Sequence, residues 1–217
     1  MRIISMLMLM MLMACSVSAE VLMTADPIGQ GKYSVNGVYF KDAKINTTGI
    51  GDLSTYGVNL GYGLTDKLDL YLNLSSASVG GFPPGFSLGF ASYGLSAQYL
   101  LAKAGESMPF DLAGKLGVRS VNVTASVPIV GNPVSQYLAS LEISKKVDAF
   151  TPYFSLGYLQ SQQTGYDPVS QVGITLGSAY AWAANSSVML EFTQNTTSAG
   201  SQSYTNSQFG GGLSFIL

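Results

Sequence analysis

The sequence predicts an all-β protein, a closed antiparallel β-barrel that crosses a membrane on ten strands. Three observations carry this expectation. The first is strict alternation, as in "KLDLYLNLS", where Leu68, Leu70, Leu72 and Leu74 are separated by Asp69, Tyr71, Asn73 and Ser75. Successive side chains of a strand point to opposite faces, so one face of this stretch meets an apolar phase and the other a polar one. The second is composition. Charged residues make up 10% of the chain, against roughly 25% in an average soluble domain, yet no segment after the first residues is long and apolar enough for a membrane helix. The third is the connections between alternating stretches, which switch between short and longer polar ones, as the two ends of an outer-membrane barrel do.

The chain opens with "MRIISMLMLMMLMACSVSAE": Arg2, an apolar run from Ile3 to Ala14, and small residues ahead of Glu20. This is a secretory signal peptide over residues 1–19, with cleavage expected after Ala19. Its apolar run of about a dozen residues falls short of the roughly 20 that span a bilayer. A rival feature is "LMAC", similar to a bacterial lipobox, which would leave Cys15 acylated. Cys15 is the sole cysteine, so ordinary cleavage leaves a thiol-free chain without disulfides. Residues 20–217 then form a single barrel domain.

The ten strands follow in order. "KYSVNGVYF" sets Tyr33, Val35 and Tyr39 against Ser34 and Asn36, and "YGVNLGYGL" sets Tyr56, Val58, Leu60, Tyr62 and Leu64 against Gly57, Asn59, Gly61 and Gly63. The leucine stretch is third. "YGLSAQYLL" places Tyr93, Leu95, Ala97 and Tyr99 outward, and "FDLAGKLGVRS" places Phe110, Leu112, Leu116 and Val118 outward, with Asp111, Lys115 and Arg119 inward. "YLASLEIS" turns Glu142 inward, "YFSLGYLQ" puts Phe154, Leu156 and Tyr158 outward, and "VGITLGSAYAW" does so with Ile174, Leu176, Tyr180 and Trp182. "VMLEFTQ" sets Val188, Leu190 and Phe192 against Glu191 and Thr193, and "FGGGLSFIL" ends the chain with Phe209, Leu213, Phe215 and Leu217 on one face. The outward tyrosines and Trp182 suit the aromatic girdles of a membrane barrel.

The connections at "TDK", "KAGESMP", "KVDAFTP" and "AANSS" are short, while "KDAKINTTGIGDLS", "VGGFPPGFS", "NVTASVPIVGNPVS", "QTGYDPVS" and "QNTTSAGSQSYTN" are longer and rich in turn residues. Short periplasmic turns, longer extracellular loops, an even strand count and both termini in the periplasm form one consistent set. Closure also removes the edge strands that template aggregation. A secreted soluble barrel would alternate too, but the residues between the apolar ones are often Gly, Ala or Ser, which suit a crowded lumen better than a hydrated exterior. No fixed repeat of glycine and acid marks a solenoid.

Two segments resemble a family. "YGLTDKLDLYLNLS" is similar to hairpins of small Gram-negative outer-membrane barrel proteins, including porin-like transporters, and "GGGLSFIL" resembles the carboxy-terminal strand read by the barrel-insertion machinery, with Leu217 where phenylalanine is commonest. The resemblance implies a multi-pass protein of the cell outer membrane, with membrane lipid and the insertion machinery as partners.

The inner face carries six charges in strands, Asp69, Asp111, Lys115, Arg119, Glu142 and Glu191. They make the lumen mildly acidic, with pairing of Lys115 and Arg119 to Glu142 across the neighbouring strand expected. Parity also puts Gly57, Gly61, Gly94, Gly117, Gly157, Gly173, Gly177, Gly210 and Gly212 inside, suggesting a thinly lined wall. The chain has no histidine, the usual base of acyl-transfer and hydrolytic sites. Paired carboxylates such as Asp69 and Asp111 read as ion-pair partners rather than an acid and base. No phosphate loop, dinucleotide fingerprint or metal cluster is present in the sequence, and a formal charge of −2 gives no basic surface for nucleic acid. No enzyme and no cofactor are expected. The expectation is a narrow passive channel or solute-transport barrel, weakly cation-preferring if open; the alternative is a structural or surface-interaction barrel with a plugged lumen whose loops carry the function.

Overall fold

The structure, a computed structural model, describes residues 23–43, 53–80, 84, 87–106, 108–126, 133–200 and 202–217. The signal peptide, its cleavage point and Cys15 lie outside them. Ten strands form in chain order: β1 Tyr33–Ala43, β2 Leu53–Gly63, β3 Leu68–Val79, β4 Leu88–Ala102, β5 Asp111–Ala125, β6 Val134–Ser144, β7 Phe150–Gln162, β8 Val169–Ala183, β9 Ser186–Ala199 and β10 Gln202–Ile216. Each pairs antiparallel with its sequence neighbours, and β1 pairs with β10 from Ser34 opposite Ile216 to Ala43 opposite Ser207, so the sheet closes into a barrel. Among the described residues no helix is long and apolar enough to cross a membrane.

Alternation sorts the side chains as the pleat requires. Leu70, Leu72 and Leu74 stand outside, while Asp69, Tyr71 and Asn73 are buried within the ring. Leu116 at 68% and Leu95 at 61% are among the most exposed residues, an arrangement that water would penalise by roughly 25 cal/mol per Å² of apolar surface and that hydrocarbon does not. Aromatic pairs mark one end of this band: Tyr33 with Tyr62 at 5.0 Å between ring centroids, Phe150 with Tyr180 at 4.9 Å and Trp182 with Phe215 at 6.1 Å. Tyr39 and Tyr56, at 4.9 Å, stand about 20 Å of strand further on, the scale of the apolar band.

One end of the barrel holds the β2–β3, β4–β5, β6–β7 and β8–β9 turns together with both ends of the described chain; the other holds the remaining connections. They are called here the turn end and the loop end. At the loop end the strands outrun the alternation. β9 continues to Ala199 and β10 starts at Gln202, in register from Asn195 opposite Asn206 to Ala199 opposite Gln202. A connection expected to be among the longer ones therefore closes as a hairpin, helped by Gly200, whose φ of 59° is easy only for a residue without Cβ. The β4–β5 turn, from Lys103 to Phe110, is no shorter than several loop-end connections, so lengths do not alternate strictly. The cause is physical: beyond the apolar band the outer face meets water instead of lipid while the inner face stays polar, so the ladder persists with polar residues on both sides and leaves no alternating signal.

Candidate functional site: a filled interior with an N-terminal stopper

The six charged side chains named from sequence all point into the ring, and all are nearly inaccessible: Asp69 and Lys115 at 1%, Glu142 and Glu191 at 2%, Arg119 at 6% and Asp111 at 7%. Water lining an open passage would leave these groups accessible. The interior is instead closed around them by large polar side chains, including Gln98, Gln136, Gln171 and Gln208, each buried to 2% or less.

The inward glycines explain how so much fits. Phe40 lies directly opposite Gly210, Tyr71 opposite Gly61, Tyr153 opposite Gly177 and Arg119 opposite Gly94. A Cβ at Gly177 would run into the Tyr153 ring, and one at Gly210 into the Phe40 ring. These glycines are seats for the large side chain on the next strand, as in the aromatic cover of sheet glycines. At these positions the thinly lined wall expected from sequence is corrected, since a missing side chain on one strand is filled from its neighbour, whereas at Gly157, opposite Gly173, a Cβ would meet nothing closer than 4.0 Å.

Hydrogen bonds tie the interior together. The Tyr153 hydroxyl donates to Glu191 Oε2 at 3.0 Å and Thr193 Oγ1 donates to Glu191 Oε1 at 3.0 Å, with Thr175 Oγ1 at 2.9 Å from Thr193 Oγ1. Glu142 and Lys115 lie within electrostatic reach of Glu191, and the register makes Glu142 the diagonal neighbour of Lys115 across β5 and β6. Arg119 is set differently from the expectation. It stands opposite Gln136 and donates from Nε to Gln136 Oε1 at 2.9 Å, while Gln136 Nε2 donates to Ser161 Oγ at 3.0 Å. Six residues, about 20 Å of strand, separate Gln136 from Glu142, so Arg119 and Glu142 occupy different levels. Asp111 accepts the Ala104 N–H at 2.8 Å and fastens the β4–β5 turn.

One interior charge was missed. Asp42, 2% exposed, lies on β1 opposite Gln208, in a stretch whose composition reads as a loop. Its parity with Ser34, Asn36 and Phe40 was the signal that could have found it. With Asp42 the described residues inside the ring include five acids and two bases.

The turn end is closed by the chain itself. Residues 23–30 precede β1 without regular structure and fold into the mouth. Met23, Ala25 and Ile28 are buried, Met23 and Ile28 packing on Tyr71 with Ile216 alongside. Three hydrogen bonds tie the segment's backbone to the wall. Ile28 N–H donates to Asp69 Oδ2 at 3.0 Å, Ala25 N–H to Ser144 Oγ at 3.1 Å, and Gln98 Nε2 donates to the Thr24 carbonyl at 3.0 Å. Lys115 Nζ lies 3.7 Å from Met23 Sδ and 5.5 Å from the centre of the Tyr71 ring, a cation–π placement. Beside the segment remains a cavity of about 160 Å³ whose lining includes Asp26, Ser34, Asn36, Lys146 and Ser214. The Asp26 side chain reaches solvent, yet the wall desolvates it enough to raise its carboxyl above the ordinary value; the like charge of Asp111 adds to this, and Lys146 and Lys103 oppose it.

Among the described residues no group of acids, cysteines or histidines is arranged to hold a metal ion.

No protein-family model matches the sequence, and no curated protein is similar to it. Solved structures match the fold. The translocator domain of the autotransporter NalP from Neisseria meningitidis aligns with a TM-score of 0.53 at 13% identity, over 97% of this chain and 95% of that one. The KdgM porin in complex with disordered oligogalacturonate aligns at 0.42 and 13% identity, over 84% and 98%, and Neisserial surface protein A at 0.37 and 14% identity, over 86% and 97%. The chain has the fold of the outer-membrane β-barrels. At these identities the likeness is one of architecture.

Proposed function

We propose that this chain is an integral outer-membrane barrel with a filled lumen, acting as a structural or surface-interaction barrel through the strands and loops it projects from the membrane. The observation that carries the reading is the near-zero accessibility of the inward charges and glutamines, together with the N-terminal segment lodged in the mouth. The turn end is then periplasmic and the loop end extracellular, with the signal peptide removed and insertion by the barrel machinery. No catalysis is assigned, since the chain offers no histidine and Asp69, Asp111 and Glu191 are engaged in fastening the N-terminal segment, a turn and the interior of β7 to β9.

The passive channel is the second reading, favoured by the cavity of about 160 Å³ that enters from the mouth beside residues 23–30. Planar-bilayer recording of the refolded protein separates the two. Filled-lumen protein that migrates as a heat-modifiable band shows no steady conductance; persistent single-channel steps from the wild type overturn the filled-lumen proposal. Extraction of the protein by carbonate would overturn the membrane barrel itself, because a closed sheet in lipid cannot release its backbone hydrogen bonds without cost.

A further inference from the structure

The cavity beside the N-terminal segment has the form of a pocket. Residues 23–30 are bonded to β3, β4 and β6 through Asp69, Gln98 and Ser144, and the cavity lies across the mouth from those strands. There the wall is made of small side chains: Ala181 on β8, Ser187 on β9, Ser214 on β10 and Asn36 on β1, each directly opposite the next, all line it. Its inner end is closed by Ala179 and Met189, which pack with Val38 and Phe40 into one apolar cluster. Its near flank is the segment, with Met23 and Ile28 packed on Tyr71. The volume of about 160 Å³ is that of roughly five waters, or of one amino acid.

The pocket offers hydrogen bonds inside and both signs of charge at its opening. Asn36, buried on the wall, has no partner within the chain for Oδ1; a buried acceptor left this way is costly, and a donor brought by a guest relieves it. Lys146 follows Ser144 by two residues, on the same inward parity, and Asp26 stands on the segment. Both line the cavity, both are exposed, and they lie within electrostatic reach of each other. Asp111 and Lys103 also act on Asp26, again one of each sign. Such a rim favours neither anions nor cations as a whole. It complements a head that carries both charges.

We propose that this cavity binds a neutral α-amino acid from the periplasm, the α-carboxylate at Lys146, the α-ammonium at Asp26 and an uncharged polar side chain passing Asn36 toward Met189. The site rests on the filled-lumen reading, because a pocket with a closed inner end holds a solute and does not conduct it. A sugar of the same size meets the hydroxyls of Ser187 and Ser214 but uses neither charge. A simple anion meets Lys146 against the field of Asp26 and Asp111.

The test is saturation-transfer NMR of the refolded barrel in detergent, titrated with glutamine, which stays out of micelles. Parallel titrations use 4-aminobutanamide, which lacks the carboxylate, 5-amino-5-oxopentanoate, which lacks the ammonium, and glucose. Heat-modifiable migration and protection of residues 23–30 from protease are confirmed first for every variant, so loss of the barrel or of the segment is scored apart from loss of binding. Steady conductance of the wild type counts against the filled lumen alone. Wild type binds glutamine saturably and each one-charge analogue about fivefold more weakly. Lys146→Gln weakens glutamine about fivefold without weakening 4-aminobutanamide, and Ala181→Leu, which fills the wall without changing charge, abolishes binding of all. Glucose bound as tightly as glutamine, equal binding of glutamine and its one-charge analogues, or unchanged binding in Ala181→Leu overturns the site. So does the lack of any saturable binding, which leaves a cavity for solvent only.

Discussion

Ile28 donates its backbone N–H to Asp69 Oδ2 at 3.0 Å, and that single bond joins residues far apart in the chain, one on the segment before β1 and one near the start of β3. The same oxygen accepts the Tyr71 hydroxyl at 3.3 Å. Asp69, read from sequence as a charge facing a passage, is thus an anchor for the segment that closes it. Asp69→Leu leaves the Ile28 N–H without its acceptor, at a cost of about 1.5–3 kcal/mol for a bond to a charged group. Limited proteolysis within residues 23–30 should accelerate about tenfold or more in this variant; an unchanged rate would show that apolar packing alone holds the segment.

Docking of the segment should also depend on pH through Asp26. Its carboxyl is raised above the unfolded value by burial and by Asp111, with Lys146 and Lys103 opposing. A raised carboxyl binds protons more tightly in the docked state, so its contribution is present in acid and is lost as pH rises from the ordinary aspartate value through the raised one. Protection of residues 23–30 from protease should be greater in mild acid than at neutral pH, and Asp26→Asn should flatten that difference. A wild type with greater protection at neutral pH would reverse the assignment.

Tyr153 and Gly177 form a matched pair across β7 and β8. Gly177→Val should lower the temperature at which the folded band converts to the unfolded one, by an overpacking cost of about 1–3 kcal/mol. Tyr153→Ala beside it should recover part of that loss by removing the ring, although Glu191 then loses a donor. Additive losses in the double variant would mean that the ring and the glycine do not share space.

On β3 the two faces give opposite outcomes. Leu70→Arg puts a charge on the lipid side, costing about 2–4 kcal/mol near the midplane of such barrels, and should obstruct insertion. Asn73→Ala removes the donor to Ser96 Oγ at 3.0 Å inside the ring, a net loss of about 1 kcal/mol, and should insert normally. Equal yields of heat-modifiable protein from the two would reverse the faces.

The strands were legible because lipid on one side and polar groups on the other impose a period of two, as at Leu68 to Ser75. Beyond the apolar band that contrast fades. This is why Asp42 reads as loop in the sequence and why the pairing of Tyr204 with Thr197 leaves no signal there. Residues 23–30 carry no period, and their place in the mouth depends on contacts with Ser144, Gln98 and Asp69 from three different strands. Parity also tells which way a side chain points but not how far it reaches across a ring, so the inner glycines looked like empty wall until Phe40, Tyr71 and Tyr153 were seen lying over them.

The antiparallel seam between β1 and β10 restricts how such a protein can change size over evolutionary time. Gain or loss of a single strand would bring the two closing strands side by side in the same direction, so the antiparallel seam is kept only when the circumference changes by whole hairpins. Each added hairpin lengthens the circumference by about 10 Å, enough to draw Phe40 away from the side chains it meets across the interior and to leave residues 23–30 too slender for the mouth. Strand number and the sizes of Phe40, Tyr71 and Tyr153 are therefore expected to change together. A relative with two more strands should carry either a bulkier N-terminal segment or a water-filled centre.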